Sequence, residues 1–280
     1  MSQPDVAALT PPAPAEWPGL VERWDNRAAP ASGPNAAGVV MICEHASNAT
    51  AEPWGDLGLA PDIWGTHVAW DIGALGLARG LAQRLAAECG GAVLVHAPLS
   101  RLIFDLNRAP DHPNAMPARS EVYEIPGNRD VTPAERLVRT RTVCTGFHAT
   151  LAAEIAALVA LGRRPALIAV HSFTPVYHGL PRAVEFGVIH DDDEALTHAV
   201  IQAARGCGLE TRLNEPYSAA GDVTHTIRLH AVPLRLPNTM LEIRNDLIGS
   251  AAQQSAMADR LAPVLARALK SAGGDACRAS

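Results

Sequence analysis

Two histidines and a glutamate close apolar runs that are otherwise almost free of charge. VVMICEH (39–45) ends in Glu44 and His45, ALIAVHS (166–172) in His171 and Ser172, and TMLEIR (239–244) in Glu242 and Arg244. Neutral imidazole and carboxylate suit a catalytic zinc ion, which typically keeps three protein ligands and one open position for water. Such an ion polarises a carbonyl and activates water, while a neighbouring carboxylate passes the proton to a leaving amine. On that chemistry His45 and His171 are metal ligands. Glu242, embedded in TMLEI, is the general base, because apolar surroundings raise a carboxyl pKa toward the useful range. The bland readings are a hydrogen-bonded structural role for either histidine and a buried ion pair between Glu242 and an arginine such as Arg244.

The third ligand is open between two carboxylates. HVAWDIGALGLARGL (67–81) sets His67 and Asp71 four apart, which on a helix brings both to one face. Asp71 sits among Ala, Ile and Leu, where a solvated charge is out of place; its bland reading is a cap or salt bridge. Glu44 competes, but neighbouring strand residues point to opposite faces, so Glu44 and His45 cannot both ligate unless the strand has ended. For substrate contacts, SRLIFDLNR (100–108) offers Arg101, Asn107 and Arg108, with Asp105 between them. Arginine grips carboxylates bidentately and asparagine can donate beside it. Arg108 also suits a developing oxyanion. Asn48, Ser172, Arg244 and Tyr217, the last in the polar stretch 214–231, complete the expected polar contacts. Ser172 lacks the G-x-S-x-G elbow of a serine nucleophile, and burial in an apolar strand would hold Cys43 inert. No G-x-G-x-x-G or phosphate-binding loop occurs.

These groups need elements that carry them to one place. Strand-length apolar runs at 39–43, 92–96, 101–105, 166–170, 184–189 and 239–243 alternate with amphipathic stretches, the pattern of an α/β layered fold. Helices are expected from Asp62 to about Cys89, from a Thr132/Glu135 capping box with Pro133 at its first position to Leu161, over 193–206, and over 251–271. Asp191 to Asp193 read as an N-cap and helix-terminal charge rather than a metal site. The expectation is a single three-layer domain over 38–272 with a mixed, mainly parallel sheet flanked by helices. An Ala/Pro-rich arm (1–37) precedes it and a short tail (273–280) follows. In such sheets ligands lie at the carboxyl ends of the strands, where distant residues converge.

Composition narrows the partners. A net charge of −6 with no block of Lys and Arg argues against nucleic acid. Five scattered cysteines form no C-x-x-C pair and read as reduced thiols. There is no signal-peptide pattern and no long uncharged apolar run, so a soluble cytoplasmic protein is expected, with a small molecule as its partner.

The segments ICEHASN, HVAWDIGALGLARGLAQRLAA, SRLIFDLNR, IPGNRDVTPAER, HSFTPVYHG, NEPYS and LPNTMLEIRNDLI, in this order over about 38–250, resemble the N-formylglutamate amidohydrolases. The resemblance implies a fold similar to zinc carboxypeptidases and hydrolysis of an N-formyl or related N-acyl amino acid. In the family's established role that reaction releases formate and glutamate in histidine degradation. It implies zinc on His45 and His171, Glu242 as general base, and Asn107 with Arg108 on the substrate carboxylate. Three residues after His45, where the wider superfamily has a metal-binding glutamate, this chain has Asn48. The third ligand is therefore taken as Asp71, with Glu44 and Asn48 as alternatives. The loop 214–227 also departs from the expected pattern, which leaves open a different acyl amino acid or a metal-poor, catalytically silent binding protein.

Overall fold

The computed structural model describes residues 21–24 and 38–272. Almost all of the expected arm and all of the expected tail therefore lie outside the described residues. Seven strands form the main sheet: β1 (Val21–Trp24), β2 (Val39–Cys43), β3 (Ala92–His96), β4 (Ala166–Phe173), β5 (Phe186–Ile189), β6 (Thr211–Leu213) and β7 (Asn238–Arg244). Their order is β1-β3-β2-β4-β7-β5-β6. The central four, β3, β2, β4 and β7, run parallel. They are the aliphatic, β-branched runs without a polar face, as strands covered on both sides must be. β1 joins antiparallel to β3 and β5 antiparallel to β7, which makes the sheet mixed.

Helices flank this sheet within one domain. In α1 (Ala74–Cys89) Leu77, Leu81 and Leu85 are fully buried at helical spacing, each contributing about 1.5–3 kcal/mol relative to exposure. α1 packs on α6 (Ala251–Ser271), and α6 on α4 (Ala195–Ala203). A second group holds α2 (Pro133–Arg139), a π turn (Thr140–Cys144), α3 (Thr145–Ala160) and α5 (His225–His230). The run Pro133–Ala160 is long and apolar enough to cross a bilayer by length and composition. Here its Phe147, Leu151 and Ile155 are buried in the core.

Four local expectations are corrected. LIFD is no strand: Ile103 N–H closes a turn on Ser100 O, and the Ser100 hydroxyl binds Ala69 O and Leu102 N–H, so the chain folds back directly after β3. The first long helix starts at Ala74, not after Asp62. Only a short 3-10 turn (Ile63–Gly65) follows Asp62, because Asp71 N–H is drawn to His45 O at 2.9 Å instead of into a helical ladder. The Thr132 hydroxyl does cap Glu135 N–H, but the Glu135 carboxylate turns to Arg139 rather than completing the box. Finally, Cys43, Cys144 and Cys207 are free thiols while Cys89 is disulfide-bonded, so the reading of uniformly reduced cysteines fails there.

Candidate active site

β2 ends at Cys43, and Glu44 and His45 occupy a turn. The alternation that would have set them on opposite faces stops one residue earlier, so both reach the same interior. His171 and Glu242 lie directly opposite each other on neighbouring strands β4 and β7, and residues paired in this way share a face of the sheet. Asp71 arrives from the connection before α1. Gly73 makes that approach possible: it adopts φ +81°, and a Cβ there would stand 2.1 Å from Ile248 O. Only glycine accepts both conditions without strain.

The result is a buried charge cluster. Asp71 Oδ2 lies 2.9 Å from His171 Nδ1 and 3.4 Å from His45 Nδ1, and it accepts the Ser172 N–H at 3.2 Å. Each imidazole has a second carboxylate on its other nitrogen: Asp105 lies 2.7 Å from His45 Nε2, and Glu44 lies 3.1 Å from His171 Nε2. Arg101 donates to Asp105 at 2.7 Å and to Asp71 at 3.3 Å. The imidazole rings meet edge to face at 4.9 Å.

The electrostatics follow from burial set against partners. Burial pushes the Asp71 carboxyl up, but the His45 charge and hydrogen bonds from both imidazoles outweigh it and hold the group well below the usual range. Burial likewise raises Asp105, and Arg101 and His45 reverse the shift. His171 is lowered by burial yet held well above its ordinary value by Glu44 and Asp71. Glu242 is different, since its Oε2 has no hydrogen-bond partner among the described residues and burial drives its pKa up to about 7.

The donor set fits a divalent metal. One donor atom each from His45, Asp71 and His171 lies within 4.8 Å of the others, and all three residues are buried. Protons on the two imidazoles balance this cluster; a metal ligated by them would displace those protons, and Glu44, Asp71 and Asp105 would then keep one cation, the Arg101 guanidinium on Asp71 and Asp105. That leaves two buried negative charges in need of a counter-charge. A carboxylate on the outer imidazole nitrogen, hydrogen-bonded as Asp105 is to His45 Nε2, is also the usual arrangement around ligating histidines.

A cavity of about 190 Å³ opens onto the cluster. Of the expected residues it gathers His45, Asp71, His171, Glu242, Arg101, Asn107, Ser172 and Tyr217 along its wall. Asn48, Arg108 and Arg244 do not line it. The Asn48 amide donates to Trp64 O at 2.8 Å, Arg108 is tied to the carbonyls of Asn107 and Asp222, and Arg244 binds Asp246 and lies 3.4 Å from Glu185. Asn107 lines the cavity with its side chain already engaged, by Val223 O and by Thr226 N–H. Asp105, which the sequence places between the expected arginines, pairs with Arg101 and also holds His45. Glu121 and Tyr177, on two small hairpins at the cavity wall, were not among the expected site residues.

Fold and site together define an α/β amidohydrolase. The model of the N-formylglutamate amidohydrolase family matches residues 37–249, and the chain belongs to that family. It is similar to a gene product of Agrobacterium tumefaciens of known crystal structure, at 42% identity and a TM-score of 0.81 over 95% of this chain and 97% of that one. The N-formylglutamate amidohydrolase of Ralstonia eutropha JMP134 shares the fold at 18% identity and a TM-score of 0.59, over 90% and 96% of the two chains. No curated protein matches.

Proposed function

We propose that the chain hydrolyses the amide bond of a small N-acyl amino acid, with N-formyl-L-glutamate the first candidate, using a divalent metal held by His45, Asp71 and His171. The observation that carries this reading is the convergence of those three donors beside Glu242 on the wall of one cavity. Bound there, a zinc ion would supply Lewis-acid polarisation of the amide carbonyl.

The chain's own groups do the rest. Glu242, paired with His171 across the strands, takes a proton from the attacking water. Burial raises its carboxyl pKa above the usual range, which favours passing that proton on to the leaving amine nitrogen. The C–N bond breaks as the new C–O bond is kept, giving a carboxylate and a free amino group. Asp105 and Glu44 hold the two imidazoles in orientation, and Arg101 holds Asp71 and Asp105. Tyr217, pushed up to about 12 by burial and by Glu242, stays protonated and donates into the cavity. A place in histidine breakdown fits this substrate.

The test is metal analysis of purified protein together with formate release from N-formyl amino acids. About one zinc per chain with turnover supports the reading. Absence of bound metal, with no activity on adding Zn²⁺, Co²⁺ or Mn²⁺, would leave a silent binding protein instead.

A further inference from the structure

An acidic substrate needs a cation, and the arginines expected to supply it are engaged elsewhere. Arg101 is committed to Asp71 and Asp105, Arg108 to the carbonyls of Asn107 and Asp222, and Arg244 to Asp246 and Glu185. The wall itself carries Asp71, Glu121 and Glu242, which would repel a carboxylate that met no counter-charge.

Arg182 stands behind this wall. Its guanidinium carbon lies 4.5 Å from the Tyr177 ring centroid, 5.0 Å from Tyr217 and 5.6 Å from Phe173, and all three rings line the cavity. Nη1 donates to Tyr217 Oη at 3.1 Å and to Thr174 O at 3.5 Å. Nε and Nη2 have no acceptor, and no carboxylate pairs with this guanidinium, among the described residues. The backbone fixes its position, with Arg182 N–H on Pro175 O at 2.8 Å and Arg244 Nη1 on Arg182 O at 3.3 Å. Aromatic faces attract the cation without neutralising it, and three of its five N–H donors sit on the two atoms left free. A planar fork of that kind matches a carboxylate.

We propose that Arg182 receives a free carboxylate of the substrate's amino-acid moiety and so determines specificity. This rests on the amidohydrolase reading of the cavity. The test compares wild type, Arg182→Gln and Arg182→Lys on N-formyl-L-glutamate, on N-formyl-L-glutamine and on N-formyl-L-isoglutamine, whose α-carboxylate is an amide. For Arg182→Gln, KM for N-formyl-L-glutamate should rise roughly 10- to 100-fold, the scale of one lost hydrogen-bonded charge contact, with kcat little changed and part of the loss restored by Lys. The penalty should vanish on one of the two amides, which names the carboxylate that is read. Equal penalties on all three substrates, or none, would overturn the proposal and leave Arg182 as a brace for Tyr217. If wild type cleaves none of them, the reaction reading fails, and calorimetry of L-glutamate binding to metal-chelated protein decides the role of Arg182. Binding lost in Arg182→Gln and kept in Arg182→Lys supports it; binding equal in wild type and Arg182→Gln, or absent from wild type, overturns it.

Discussion

Replacing Glu242 by glutamine should separate catalysis from stability, moving them in opposite directions as the pH rises. The carboxyl is buried with Oε2 unpartnered, and its pKa stands at about 7 against the usual 4.5. An acid whose folded pKa is raised lends stability that is fully present below about 4.5 and lost as the pH rises through about 7. At 1.36 kcal/mol per pKa unit the full loss is about 3 kcal/mol, of which about 2.5 kcal/mol falls between pH 5 and pH 8. Glutamine keeps the shape and does not titrate. Its pH-independent cost, a buried amide, cancels when the two pH values are compared. Guanidinium unfolding of the metal-chelated proteins should therefore show Glu242→Gln gaining about 2 to 3 kcal/mol on wild type from pH 5 to pH 8. In the metal-loaded enzyme the same variant should lose about 10³ in kcat, the middle of the range for a general base, with its metal content kept. A stability difference that does not change with pH would refute the burial argument. Retained turnover would refute the role as base, and lost metal would make Glu242 a ligand.

Asp71→Asn should reduce bound zinc far below one per chain by atomic emission, and Asp105→Asn should weaken it about 10- to 100-fold by acting through His45; Asn48→Ala should change neither metal content nor kcat, and any loss there would restore Asn48 to the site. In Gly187→Ala the new Cβ would stand 1.9 Å from Glu215 O and 3.2 Å from Glu242 Cβ, so the segment leading to Tyr217 must move. About 1 to 3 kcal/mol of stability should go with it, together with kcat/KM, and unchanged kinetics would show that Gly187 does not set Tyr217. His148 and His230, 2.9 Å apart between α3 and α5, are both lowered to about 4 by burial. Bases held neutral in this way give stability present above about pH 6.5 and lost as the pH falls through about 4. His148→Gln should reduce the stability lost between pH 7 and pH 4 by about 2 to 3 kcal/mol in urea unfolding, and an unaltered acid slope would count against the pair.

Much of the frame is legible in the chain because central parallel strands and long helices are written locally. VVMIC, AVLVH and NTMLEIR form strands where their aliphatic runs predict them. The helix at 251–271 likewise starts at its Ser250/Gln253 capping box. Asp71 and Glu242 stand out for the same reason, as carboxylates in apolar surroundings. LIFD misleads because its composition is that of a strand, whereas a serine hydroxyl and carbonyl turn the backbone before a ladder can form. The stretch 62–73 misleads because a hydrogen bond to His45 O outcompetes helical pairing.

The amino-acid sequence by itself determined which segments are buried and which chemical groups end them, since burial pattern and residue type are properties of neighbours along the chain. Only the tertiary structure decided that Asp71 rather than Asn48 joins the imidazoles, that Glu44 and Asp105 flank them, and that Arg182 rather than Arg108 or Arg244 faces the cavity rings uncompensated. Those choices depend on separations of a few ångströms between residues as far apart in the chain as Glu44 and His171, set by strand register and by a glycine turn. Coulomb and hydrogen-bond energies act through such distances and carry no local signature.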